Sequence, residues 1–219
     1  MTTPLITGVV PSPRREGRFE LSVGGKPVAT LSLEAIERLR LHVGRPYDEA
    51  LALLVENAAR ALHAFDRALD LLAIRSRSAR ELRTALVRKG EEPEHADAAI
   101  ERLLALGLLD DAAYARQFAR AKVEGAGLSR RRLQAELSRR GVARDVADEA
   151  IDDVLADESV DEGAILERVA SKKLRTLARL DPPTRRRRLY AFLARRGYES
   201  DDIRKVMESL LGGSDGGEW

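Results

Sequence analysis

The stretch Glu81-Leu82-Arg83-Thr84-Ala85-Leu86-Val87-Arg88-Lys89-Gly90 decides the reading of this chain, because its pattern returns twice. Leucine, three spacers, leucine, two spacers, a basic residue and glycine recur as Leu133, Leu137, Arg140-Gly141 and as Leu189, Leu193, Arg196-Gly197. The register also continues past each glycine. Small or apolar residues follow at matching places: Ala96, Ala99, Ile100 and Leu103; Ala147, Ala150, Ile151 and Val154; Ile203, Val206, Met207 and Leu210. An internal repeat of this size predicts three copies of one supersecondary unit rather than a single enzyme core.

Each glycine stands where a helix ending in basic residues needs a positive φ, so Gly90, Gly141 and Gly197 read as helix C′ caps. The apolar spacing beyond them follows the helical period, which predicts a second helix with one buried stripe and one charged face. Upstream, Ala68 to Ile74, Tyr114 to Val123 and Ile165 to Leu177 supply a further helical pattern, making three helices per unit. Ser78 with Glu81 three residues on fits a capping box for the middle helix, and Ser129 and Thr184 hold similar places. Asp110-Asp111 ahead of Tyr114 reads as an N-terminal cap, with Tyr114 and Phe118 packing inward.

A different piece precedes the repeats. Ile6 to Val10, then Phe19, Leu21 and Val23, then Val28, Ala29 and Leu31 read as short strands, the last two joined by the hairpin turn Gly24-Gly25. Pro27 makes the final strand an edge. Ser32 caps a helix through about Leu41, Gly44-Arg45-Pro46 breaks it, and Asp48 starts another. Leu51, Leu54, Ala58, Leu62, Phe65, Leu69 and Leu72 then form a seam that runs unbroken into the first unit. That helix would be about 39 Å long at 1.5 Å per residue.

The expected architecture is therefore mainly α: tandem three-helix, helix-turn-helix-like repeats in an elongated array, with a small N-terminal β-hairpin segment and a long connecting helix. The divisions are 1–47 for the hairpin and short helix, 48–74 for the connecting helix, and 66–110, 111–158 and 161–211 for the three repeats. A flexible tail is expected over 212–219.

Of the 219 residues, 34% are charged and only 4% aromatic, which suits several small cores. There is no cysteine, hence no disulfide or thiolate chemistry. The start carries no basic signal-peptide region, and no apolar run approaches the roughly 18 residues of a membrane span. A cytoplasmic protein is expected. The net charge of +2 does not by itself select a nucleic-acid partner.

The distribution of charge is more informative. Arg130, Arg131 and Arg132 with Arg139 and Arg140, and Arg185, Arg186, Arg187 and Arg188 with Arg195 and Arg196, place consecutive cations at helix N-terminal ends, where the macrodipole disfavours them. Guanidinium groups there suit phosphates or carboxylates, so these residues are the candidate partner-binding site. Solvated helix faces are the plainer reading. From Asp145 to Glu162 the charge is wholly acidic, which favours a polar protein partner over naked duplex DNA.

Catalysis has no visible constellation. His42, His63 and His95 are scattered without ligand or base spacing, and Gly24-Gly25-Lys26 lacks the spacing of a phosphate loop. No enzyme activity, cofactor or metal is expected.

The run Leu106-Gly107-Leu108-Leu109-Asp110-Asp111-Ala112-Ala113-Tyr114-Ala115-Arg116-Gln117-Phe118, following the helix that ends at Lys89-Gly90, resembles the signature of RecX proteins, regulators of the RecA recombinase. With Arg196-Gly197-Tyr198 the resemblance covers about residues 66 to 211; tyrosine stands at 198 where phenylalanine is common. It implies a chain of three-helix modules that binds the RecA–DNA filament and lies in its groove. It further implies a role in DNA repair, recombination and the SOS response, restraining recombinase, ATPase and coprotease activity. The implied partners are the RecA filament and single- or double-stranded DNA, with no membrane and a monomeric chain. A helix-turn-helix-like DNA-binding protein is the alternative, and a generic helical scaffold a third.

Overall fold

The computed structural model describes residues 3–157 and 162–212. Glu158 and Asp161 of the acidic stretch, the side chain of Asp157, and the tail from Gly213 onward lie outside the described residues.

The three apolar runs near the start form an antiparallel sheet, β1 (Ile6–Pro11), β2 (Arg18–Val23) and β3 (Lys26–Ser32), in that order. Strand alternation turns Ile6, Leu21 and Leu31 inward, where all three are buried. Gly24 and Gly25 adopt φ of +57° and +79°, the double positive φ that a type I′ turn requires. Ser32 caps α1 (Leu33–Arg38) by accepting the Ala35 N–H at 3.2 Å. The helix stops short of Leu41, because Arg40 takes φ +50° and the Arg45 guanidinium binds the Leu39 and Arg40 carbonyls.

Asp48 accepts the Leu51 N–H at 2.8 Å and opens α2 (Glu49–Ile74), an uninterrupted helix of 26 residues. The seam expected along it shifts: Leu54 is exposed, and Val55, Ala68 and Leu71 are buried instead. Two different partners cause this. Leu51, Val55 and Ala58 pack on the sheet, whereas Asn57 bonds His95 and, two turns on, Phe65 lies under Arg102, both residues of α4 (Pro93–Ala105).

The last turns of α2, then α3 (Ala79–Arg88) and α4, make the first module. The second is α5 (Asp111–Ala126), α6 (Arg130–Arg139) and α7 (Arg144–Asp157), and the third α8 (Glu162–Thr176), α9 (Pro182–Arg195) and α10 (Ser200–Leu211). The repeated leucines Leu82, Leu86, Leu133, Leu137, Leu189 and Leu193 are all fully buried. The alanines and aliphatics that follow the first two glycines, Ala96, Ala99, Ile100 and Leu103 and then Ala147, Ala150, Ile151 and Val154, are buried as well. Gly90, Gly141 and Gly197 carry φ of +94°, +81° and +93°, as C′ residues do.

The chain folds as two compact units. One holds the sheet, α1, α2, α4 and α3 from Leu82; the other holds Arg77–Glu81 with α5 to α10. The first turn of α3 thus packs with the second module. Asp110 caps α5 as expected, accepting from Ala112 and Ala113, while Asp111 reaches back to accept the Ala79 N–H at 2.8 Å.

Candidate functional site

Within the second unit, each module seats its central turn on the start of the middle helix one module earlier. Ser78 accepts the Glu81 N–H at 3.1 Å, as an N-cap does, and donates its hydroxyl to the Arg140 carbonyl. Ser129 repeats the arrangement: its hydroxyl accepts the Arg132 N–H at 3.3 Å, and its own N–H donates to the Arg196 carbonyl at 3.1 Å. A Cβ on Gly141 would run into the Arg80 side chain, and one on Gly197 would lie 2.6 Å from the Ser129 hydroxyl. These two glycines therefore answer to a close approach as well as to φ. Tyr198 completes the second junction by donating to the Gly127 carbonyl at 3.1 Å, and burial pushes the pKa of its hydroxyl up to about 12.

Thr184 does not hold the place expected for it. Counted back four residues from the buried leucine, the equivalent of Ser78 and Ser129 is Arg185, and α9 carries an extra turn that begins at Pro182. Asp181 is the cap, accepting the Thr184 N–H at 3.0 Å. Proline at the first helical position fixes that start.

The two arginine clusters have different environments. Arg130 forms a bidentate pair with Asp152 on α7, which holds the Asp152 carboxyl below its ordinary value. Arg131 shares its Nε between the Gly197 carbonyl and Glu199, both at 3.3 Å. Arg132, Arg139 and Arg140 converge on Glu136 at 2.8, 3.2 and 2.8 Å. The hydrogen bond from Arg140 is the main cause that keeps the Glu136 carboxyl low, and the Arg140 guanidinium lies 4.4 Å over the Phe118 ring. The acidic stretch of α7 supplies part of this pairing, since Asp148 accepts from Gln134 and Asp153 faces Arg116. The cluster at 130–140 is thus tied into the fold.

The other cluster is open. Arg196 is held, stacked 3.6 Å from the Phe192 ring and donating to the Ala126 carbonyl at 2.7 Å. Arg185, Arg186, Arg187, Arg188 and Arg195 form no ion pair among the described residues, and the buried Arg185 Nε has no hydrogen-bond acceptor. Phe118 and Phe192, which carry Arg140 and Arg196, bear no sequence signal as cation–π partners. Nor does Tyr190, which lies on the outer side of α9 and is 38% exposed.

His95 is buried against Asn57 at 2.8 Å and His63 faces Glu91 at 3.0 Å. Among the described residues no group of His, Cys, Asp or Glu is arranged to hold a metal ion, and no helix is long and apolar enough to cross a membrane.

Three helices closed by a glycine turn, repeated and interlocked through that turn, define a modular helical protein. All three modules match models of one family: residues 64–103 the first three-helix domain of RecX, 110–151 the second and 161–207 the third. The regulatory protein RecX of Amycolatopsis mediterranei (strain U-32) is 40% identical over 129 residues, covering 59% of this chain and 72% of the relative. That of Prosthecochloris aestuarii (strain DSM 271 / SK 413) is 37% identical over 150 residues, 68% of this chain and 93% of the relative. A crystal structure of a regulatory protein RecX superimposes with a TM-score of 0.77 at 19% identity, over 94% of this chain and 99% of that one. A second, RecX from Lactobacillus salivarius, gives 0.56 at 18% identity, over 69% and 96%. The chain belongs to the RecX family, and its role is regulatory.

Proposed function

We propose that this protein binds RecA–DNA filaments and restrains the recombinase, ATPase and coprotease activities of RecA, acting as a non-enzymatic cytoplasmic monomer in DNA repair and recombination. The observation that carries the reading is the match of all three modules, in order, to the three RecX domains. Modules linked in one chain raise one another's effective concentration on a repeating groove, so modest contacts at each suffice. A bound module hinders the subunit motion that ATP turnover needs, or blocks the entry of duplex DNA.

The open cluster, Arg185 to Arg188 with Arg195, is the better candidate for the filament-binding surface, because its guanidinium groups are not already spent on internal carboxylates. Arg131 and Arg196 join the second and third modules, while Arg130, Arg132, Arg139 and Arg140 pair with carboxylates inside the second. The same open cluster supports the second reading, a DNA-binding protein that needs no recombinase. Pull-down on immobilised single-stranded DNA separates the two. Retention that RecA increases supports the filament reading; equal retention with and without RecA supports the other.

A further inference from the structure

We infer that the outer side of α9 is a binding site for single-stranded nucleic acid, with Arg186 and Arg187 on its phosphates and the Tyr190 ring under one base. The inference deepens the filament reading by naming which component this module touches, and it rests on that reading only for the presence of a strand. Tyr190 lies four residues after Arg186 and three after Arg187, so the three side chains share one helix face. The Tyr190 hydroxyl donates to the Ser200 hydroxyl at 3.0 Å, which fixes the ring while 38% of the residue stays exposed. Its neighbours in the module offer no such surface: Phe192 is covered by Arg196 and Lys173, and Tyr198 is buried.

Charge points to a polyanion. From Arg168 to Arg196 the sequence has eleven lysines and arginines and one acid, Asp181, whose carboxylate is used as the α9 cap. The acids that follow are matched, Glu199 by Arg131, Asp201 by Arg204 and Asp202 by Lys205. Four consecutive arginines on the second turn of α9 crowd like charge, and among the described residues no ion pair with a carboxylate offsets that cost. Phosphate oxygens would offset it, and guanidinium groups bind them bidentately. An acidic peptide would satisfy the arginines but give the exposed ring no role. A duplex keeps its bases stacked inside, whereas an unpaired base can lie on an aromatic side chain.

The test uses the whole chain alone and a dye-labelled oligothymidylate, an abasic strand of equal length and a hairpin duplex, read by fluorescence anisotropy. The native protein is expected to prefer the thymidylate to the other two. Tyr190→Ala should weaken thymidylate binding by about five- to a hundred-fold and leave the abasic strand unchanged, while Tyr190→Phe should bind as the native chain does. Arg186→Gln with Arg187→Gln should weaken both strands and lower the slope of log affinity against log salt by about 0.7 for each phosphate no longer neutralised. Equal binding of thymidylate and abasic strands, preference for the duplex, or an unchanged Tyr190→Ala variant overturns the inference. Should RecA inhibition persist in such a case, the filament reading stands without it; absence of that inhibition in the native chain removes the filament reading instead.

Discussion

The carbonyl of Arg196 accepts the backbone N–H of Ser129 at 3.1 Å, so the turn after α9 rests on the residue that caps α6. The Arg140 carbonyl is likewise met by Ser78. The first module has no predecessor, and there the equivalent carbonyl, that of Lys89, accepts from Arg67 of α2 at 2.7 Å. In the third module, Arg185 takes the place of the serine and α9 carries an extra turn from Pro182.

The glycines provide a direct comparison, because Gly90 and Gly197 share nearly the same φ but only Gly197 is closely approached. Gly90→Ala should cost about 1–2 kcal/mol, the left-handed backbone penalty alone. Gly197→Ala should cost about 2–4 kcal/mol, since its methyl meets Ser129 and Arg132 as well. Denaturation of the two variants should show this difference; equal losses would mean that the junction is not tightly packed.

Leu62 is buried midway along α2. Leu62→Asp should cost about 2 kcal/mol or more by placing a carboxylate in that seam. Faster amide exchange across residues 48–74 is the expected readout.

Arg15 and Arg18 clamp the β-sheet to α2 through Asp66 at 3.0 and 2.5 Å. Burial alone would push the Asp66 carboxyl up, but hydrogen bonds from both arginines hold it below its ordinary 3.8. A depressed carboxylate stabilises the fold above its unfolded value, and the contribution is lost as pH falls through the folded one. Exchange of β2 and α2 amides should therefore accelerate as pH falls below about 4. Asp66→Asn should remove most of that acid dependence while lowering stability at neutral pH.

Charge reversal should separate the two arginine clusters. Replacing Arg130, Arg131 and Arg132 by glutamate sets like charges against Asp152, Glu136 and Glu199, so the melting temperature should fall. The same change at Arg185, Arg186 and Arg187 breaks no ion pair among the described residues and relieves the crowding of like charge with Arg188 on the second turn of α9, so the melting temperature should hold or rise. Filament binding should weaken in the second variant without loss of fold.

Periodicity makes the repeat legible: the leucines, the glycine caps and the alanines after them are where the pattern places them. What it does not carry is anything that depends on a distant partner. Gly197 needs its approach to Ser129, the seam of α2 turns because the sheet and α4 lie on different sides, and Arg130 is neutral in effect because Asp152 faces it. Thr184 falls out of place by one residue of register, since an N-cap serine signal cannot be told from a threonine inside a prolonged helix start. Tyr190 carries no motif and gains meaning only from being uncovered.

The most direct test of the regulatory account is the ATPase rate of RecA on single-stranded DNA as this protein is titrated. The account predicts a progressive fall in rate, weakened in the variant with glutamate at 185, 186 and 187. A rate that stays constant through saturating protein would contradict it.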